Sequence, residues 1–272
     1  MRTNRTTSFF IAFLVILAVF LLNMTLAPKI SGSILLITRI SLAAFFGAAI
    51  LWFRIRKQPN ARRISFALMV VNLAFFIVSF FTPEIWGLNL ETPRGIAFAK
   101  LSDAAIISMV LIIFFLLGGY RPKDIYLAKG RLFNGFLIGL LSFVFMGYMA
   151  INNPEHPMAT EFLVKNIAWI LIFVLSNGFM EELLFRGIFL RQLGNFMKPV
   201  WAVVLTSVVF AAAHLQVTYT PDVLFFVGIT LILGLIWGLL MHYTKSIIAS
   251  MLFHAGADLL IILPIYASFG VK

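Results

Sequence analysis

The strongest constraint on this chain is its succession of apolar runs about 20 residues long, the length an α-helix needs to cross the hydrocarbon core of a bilayer. Runs at about 8–27, 33–53, 64–82, 101–119, 132–150, 166–190, 199–217, 222–242 and 246–268 predict about nine spans, with eight as the alternative count. Hydrophobic residues make up 62% of the 272 residues and charged residues 11%, where soluble domains hold about 45–50% and about 25%. A soluble globule of this size has no interior large enough for that apolar surface. The predicted fold is an all-α, polytopic transmembrane helical bundle.

The charges set the expected orientation. Fourteen Lys and Arg, among them Arg54, Arg56, Lys57, Arg62 and Arg63, fall in loops on the N-terminal side of the membrane, and five fall on the other. That positive-inside pattern places the N-terminus in the cytoplasm and the C-terminus outside. The net charge of +11 is therefore a topology signal. No basic stripe carries interleaved aromatics, so the expected partner is the lipid bilayer and not nucleic acid. The chain has no cysteine, which excludes disulfides, thiolate nucleophiles and cysteine metal ligands. The first run exceeds the about 7–15 residues of a signal-peptide core. Pro28 follows its one small-residue site, so a retained anchor helix is expected. The steps Gly135-x-x-x-Gly139 and Gly234-x-x-x-Gly238 predict close helix approach.

Ionisable side chains inside the spans carry the functional information, because each is costly in lipid unless paired or facing a polar cavity. The first five spans hold Arg39, expected to snorkel or find a partner in the bundle, and Asp103, expected as a helix-start charge. The C-terminal spans differ. Span six carries Glu181-Glu182-x-x-x-Arg186, span seven Phe210-x-x-x-His214 and span nine His254-x-x-x-Asp258. Burying all of them separately would be costly several times over, so they are expected to meet. Glu182 and Arg186 stand at i,i+4 in the favourable order for an ion pair, and Glu181 points about 100° away around the same helix. The pair lets the helix continue to Leu193, which brings Glu181 to a depth comparable with His214 and His254. His156 and His242, near span ends, are expected to be solvated or interfacial.

A carboxylate and two imidazoles at one depth suit the activation of water, with Glu181 as general base. The histidines could hold a metal, or polarise a carbonyl and stabilise the oxyanion.

In these three motifs the sequence resembles the CAAX prenyl protease and bacteriocin-processing (CPBP or Abi) intramembrane protease family. Its signature is Glu-Glu-x-x-x-Arg, Phe-x-x-x-His and His-x-x-x-Asn or Asp on successive core helices. Glu181, Glu182 and Arg186 match the first motif, Phe210 and His214 the second, His254 and Asp258 the third. The resemblance covers roughly residues 176–260. It implies an intramembrane endopeptidase acting on a membrane-associated protein or peptide. Glu181 would activate water with help from His214, and His254 and Asp258 would stabilise the oxyanion or bind metal. At this motif position an asparagine could donate to an oxyanion but an ionised Asp258 cannot; it would have to be protonated, bind metal or orient His254, so the resemblance implies a divalent metal, zinc, held by His214, His254, Glu181 and Asp258, with a metal-free glutamate mechanism as the alternative. Glu182, Arg186 and Phe210 would support them. With no trafficking signal in the sequence, the chain is expected in a bacterial cell membrane.

Residues 1–160 carry no recognised motif, and 161–272 form the expected catalytic core. The competing function classes are a non-catalytic binding, regulatory or bacteriocin-immunity protein and a transporter. A transporter would be expected to show internal repeats and broken helices at the midplane.

Overall fold

The computed structural model describes residues 5–155, 157–195 and 197–270; His156 lies outside them. They form helices α1 (Arg5–Phe20), α2 (Gly32–Ile55), α3 (Pro59–Val78), α4 (Pro93–Leu117), α5 (Leu132–Ile151), α6 (Thr160–Glu182), α7 (Pro199–Ala213), α8 (Val223–Thr244) and α9 (Ile247–Gly270), with no strand among the described residues. Two of these helices change pitch without breaking. A π-helical turn, Leu21–Leu26, follows α1, and a longer one, Leu183–Leu190, carries α6 on to Leu193.

Among the described residues eight helices are long and apolar enough to cross a membrane, so the fold is the polytopic helical bundle expected. The ninth apolar run differs: α7 has 15 residues, about 22 Å of helix against a core of about 30 Å. It stops at Ala213 because the backbone amides of His214 and Leu215 turn back to the carbonyls of Ala211 and Ala212. The segment from Thr160 to Leu193, by contrast, runs for 34 residues, longer than a bilayer requires. Its last eleven residues are enclosed by protein apart from half-buried Arg191, so this end of the helix packs in the bundle.

Small residues set the closest approaches. A Cβ on Gly238 would lie 2.9 Å from a Val203 methyl, and one on Gly234 would lie 3.2 Å from Ser207 Cβ, which makes α7 and α8 an antiparallel hairpin. Gly139 brings α5 onto α9, where a Cβ would meet the Ala249 backbone at 3.0–3.2 Å. Gly178 does the same for α6, 3.0 Å from Met251 O and 3.2 Å from Ala255 N. The contact that matters most for the site is therefore α6 against α9.

Of the two charges noted in the first five spans, Asp103 sits differently from expectation and Arg39 takes one of its two expected settings. Asp103 is not at a helix start. Thr92 caps α4 by accepting the Gly95 amide, Pro93 opens the helix, and Asp103 falls eleven residues in. The sequence alone hid that start because residues 93–100 include Arg94 and Lys100. Arg39 finds partners in the bundle: its Nε donates to Asn23 Oδ1 at 2.9 Å, and its Nη atoms reach Phe75 O at 3.1 Å, Asn23 O at 3.3 Å and Ser79 Oγ. Asn23 lies in the first π-helical turn and donates to Asn72 Oδ1 on α3 at 3.0 Å. Two residues on, Thr25 Oγ1 donates to the carbonyls of Ala212 and Ala213 at 3.3 and 3.4 Å, at the end of α7.

Candidate active site

Three helices deliver the motif residues. Glu181 and Glu182 close α6, Arg186 follows in its π-helical extension, Phe210 and His214 come from the end of α7, and His254 and Asp258 come from α9. Glu182 and Arg186 are fully buried and paired, Arg186 Nη1 donating to Glu182 Oε1 at 2.9 Å. The guanidinium is held further by Gly234 O at 3.3 Å and by the faces of Phe210 and Trp237, 4.3 and 5.5 Å from its central carbon. The same Glu182 oxygen lies 3.0 Å from His254 Nδ1, so the ion pair fixes the imidazole. Trp237 fixes its plane: the two rings are stacked at 4.0 Å and 9°, and Phe210 meets His254 edge-on at 5.6 Å.

The other nitrogen of His254, Nε2, faces Glu181 Oε2 at 3.5 Å and Asp258 Oδ1 at 3.6 Å. Asn177, one helical turn before Glu181, donates from Nδ2 to Asp258 Oδ2 at 2.9 Å. Glu181, His254, Asp258 and Asn177 are all buried. The structure thus brings Glu181, Glu182, Arg186, Phe210, His254 and Asp258 into one cluster.

His214 stands at the rim. Its helix α7 runs unbroken to Ala213, and His214 caps the helix and is half-buried. Its Nδ1 lies 2.8 Å from Phe210 O, which makes Nδ1 the donor and leaves Nε2 as the acceptor. Its ring packs 4.6 Å from Phe210 and 6.1 Å from Phe226, within electrostatic reach of Glu181 and His254. Tyr219, in the loop after His214, packs on Phe226 at 5.4 Å. Burial pushes its phenol above the ordinary value, and the negative charges of Glu181 and Asp258 push the same way.

Asn177 and Trp237 were not singled out from the sequence. Asn177 is a lone amide in an apolar run, and its signal was the i,i+4 step to Glu181. Trp237 falls inside the Gly234–Gly238 packing step and reads as bulk. His242 lies near Lys245 at the far end of α8, 3.2 Å from its Nζ.

Among the described residues, no group of three or more His, Asp or Glu is arranged to hold a metal ion. His254 Nδ1 is engaged by Glu182 Oε1 at 3.0 Å, and Nε2 stands 3.5 Å from Glu181 Oε2 and 3.6 Å from Asp258 Oδ1, so the imidazole is held among carboxylates. In this arrangement the donor set does not fit a metal, and no step below runs through one.

Residues 163–260 match the family model described as type II CAAX prenyl endopeptidase Rce1-like. This segment is similar to that family. The match covers about a third of the chain and contains every residue of the cluster, Asn177 and Trp237 included. No curated protein and no solved structure matches the chain. With eight helices long and apolar enough to cross a membrane among the described residues, the chain is an integral membrane protein.

Proposed function

We propose that this protein is an intramembrane endopeptidase that hydrolyses a peptide bond of a membrane-associated protein or peptide in a bacterial cell membrane. The observation that carries the proposal is the buried convergence of Glu181, His254 and Asp258, with Glu181 Oε2 3.5 Å from His254 Nε2, inside a segment that matches an endopeptidase family.

Glu181 takes a proton from water as the water oxygen bonds to the scissile carbonyl carbon, and the carbonyl electron pair moves onto its oxygen. His254, whose ring packs edge-on against Phe210, stabilises that oxyanion through Nε2. When the C–N bond breaks, Glu181 returns its proton to the leaving amine. Arg186 and Glu182 take no proton; they hold His254 in place through the 3.0 Å contact at Nδ1. Zinc, expected from the sequence, takes no part in these steps.

The test compares new peptide termini in membranes of cells expressing wild-type protein and Glu181→Gln. The substitution keeps size and hydrogen bonding while removing the base. Loss of a base of this kind costs about 10²–10⁴ in rate, so termini that depend on the enzyme should vanish at equal protein levels. Identical profiles would overturn the endopeptidase assignment.

A further inference from the structure

We propose that Asn177 is a water-positioning residue: its Oδ1 and Glu181 Oε2 together hold the nucleophilic water, and Asp258 fixes the amide that does so. The inference rests on the endopeptidase assignment above and deepens it.

The amide's orientation follows from its partner. An ionised carboxylate accepts and cannot donate, so the atom 2.9 Å from Asp258 Oδ2 is Nδ2, and Oδ1 is turned to the opposite side. Asn177 is 7% exposed, and its Oδ1 has no hydrogen-bond partner. Glu181 Oε2 is likewise a buried acceptor that receives no hydrogen bond, with His254 Nε2 at 3.5 Å as an ion-pair contact. A buried unpartnered acceptor costs about 1–3 kcal/mol, and here two stand on one helix face, four residues apart. Side chains at that spacing have Cβ atoms about 5–6 Å apart. Two acceptors that each receive one O–H of a single water, at about 2.7–2.8 Å, require a comparable separation.

Water has two donors, and this pair of acceptors takes both. With its hydrogens committed to α6, the water oxygen turns its lone pairs away from the helix, towards a substrate carbonyl. In the reaction the O–H on Glu181 breaks and its proton passes to Oε2, while the O–H on Asn177 stays intact. The freed pair forms the C–O bond, and the carbonyl π pair moves to the carbonyl oxygen. The C–N bond then breaks, and Glu181 gives the proton to the amine. Asp258 thereby has a role that needs no proton of its own: it accepts from Asn177 Nδ2 and need not donate to an oxyanion.

The experiment follows the rate at which new membrane-peptide termini appear after induction of wild-type protein, Glu181→Gln, Asn177→Leu, Asn177→Asp and the exchange Asn177→Asp with Asp258→Asn. Protein level and unfolding in detergent are measured for each. Asn177→Leu should slow the Glu181-dependent termini by about 10²-fold, the scale of a misplaced reactant. Asn177→Asp should slow them as much, because two carboxylates then face each other. The exchange restores a donor on 258 and an acceptor on 177, so it should recover most of the rate, which a purely structural role would not predict.

Wild-type rates in Asn177→Leu would overturn the positioning role, as would an exchange variant no faster than folded Asn177→Asp. Should the leucine variant fail to fold, the aspartate variant and the exchange decide. Unchanged termini in Glu181→Gln would overturn the endopeptidase assignment and this role with it, whereas termini lost in Glu181→Gln alone would overturn only the role of Asn177.

Discussion

Arg186→Met should be among the most destabilising single substitutions in the chain. Arg186 is fully buried, and its charge is balanced by Glu182 at 2.9 Å. At that separation the attraction is about 6 kcal/mol with an effective dielectric of about 20, and the desolvation of both ions offsets a large part of it. Removing the arginine alone forfeits the attraction and leaves Glu182 charged among Phe210, Trp237 and His254. The expected loss is about 3–5 kcal/mol. Pairing Arg186→Met with Glu182→Gln removes both charges and keeps an acceptor for His254 Nδ1, so the double variant should lose only about 1–2 kcal/mol. The assay is reversible unfolding in mixed micelles, titrated with a denaturing detergent and followed by far-ultraviolet circular dichroism. A single variant within about 1 kcal/mol of wild type, or a double variant less stable than the single, would refute the reasoning that an unpaired buried carboxylate dominates the cost.

Gly256→Ala places a methyl 2.8 Å from the Phe143 backbone; pushing α9 off α5 should cost about 1–3 kcal/mol and lower activity, whereas Gly228→Ala, which meets nothing within 4 Å, should be neutral or stabilising in the same unfolding assay. Burial and the charges of Glu181 and Asp258 hold the Tyr219 proton on, so its ionisation lies above that of a free phenol. Ultraviolet titration of wild type and Tyr219→Phe should therefore coincide through about pH 10, where a free tyrosine is half ionised; a phenolate lost with Tyr219 at that pH would contradict its placement. Protein purified without chelators should carry well under one equivalent of zinc, and its activity should survive chelation. A full equivalent that disappears in His214→Ala would reverse the assignment of a metal-free site.

The bundle and the cluster were legible in the sequence for different reasons. Apolar run length marks spans directly, since lipid forces every backbone group to bond within its own helix. The meeting of Glu181, Glu182, Arg186, His254 and Asp258 was legible because each is expensive alone in an apolar helix. Helical rise predicted comparable depths for Glu181, His214 and His254, whereas the end of α7 one residue before His214 was not foreseen. Rotation was not legible. The i,i+4 rule paired Glu182 with Arg186, but nothing in the spacing says that Glu182 also faces His254, or that Trp237 stacks on it. Those depend on how α6, α8 and α9 are turned, which Gly178 and Gly234 set through close approaches between distant parts of the chain. The pitch changes at Leu21–Leu26 and Leu183–Leu190 leave no mark on the apolar pattern, because every residue of the second is buried regardless of face.

The small hydroxyl of Thr25 has a consequence for how this architecture can be cut or recombined. It bonds the carbonyls of Ala212 and Ala213, at the residue before His214, from a turn that Arg39 and Asn72 hold through Asn23. Phe20, just before that turn, packs on Phe185 and Phe189 at 4.6 and 5.2 Å, and α5 seats its glycines on α9. The boundary at residue 160 marks where the chemistry-bearing motifs begin, not where the packing divides. Grafting residues 161–272 onto a different set of leading helices would transplant every reactive group yet leave the last turn before His214 unmoored. In this molecule, the unit of inheritance for a working site is the whole bundle.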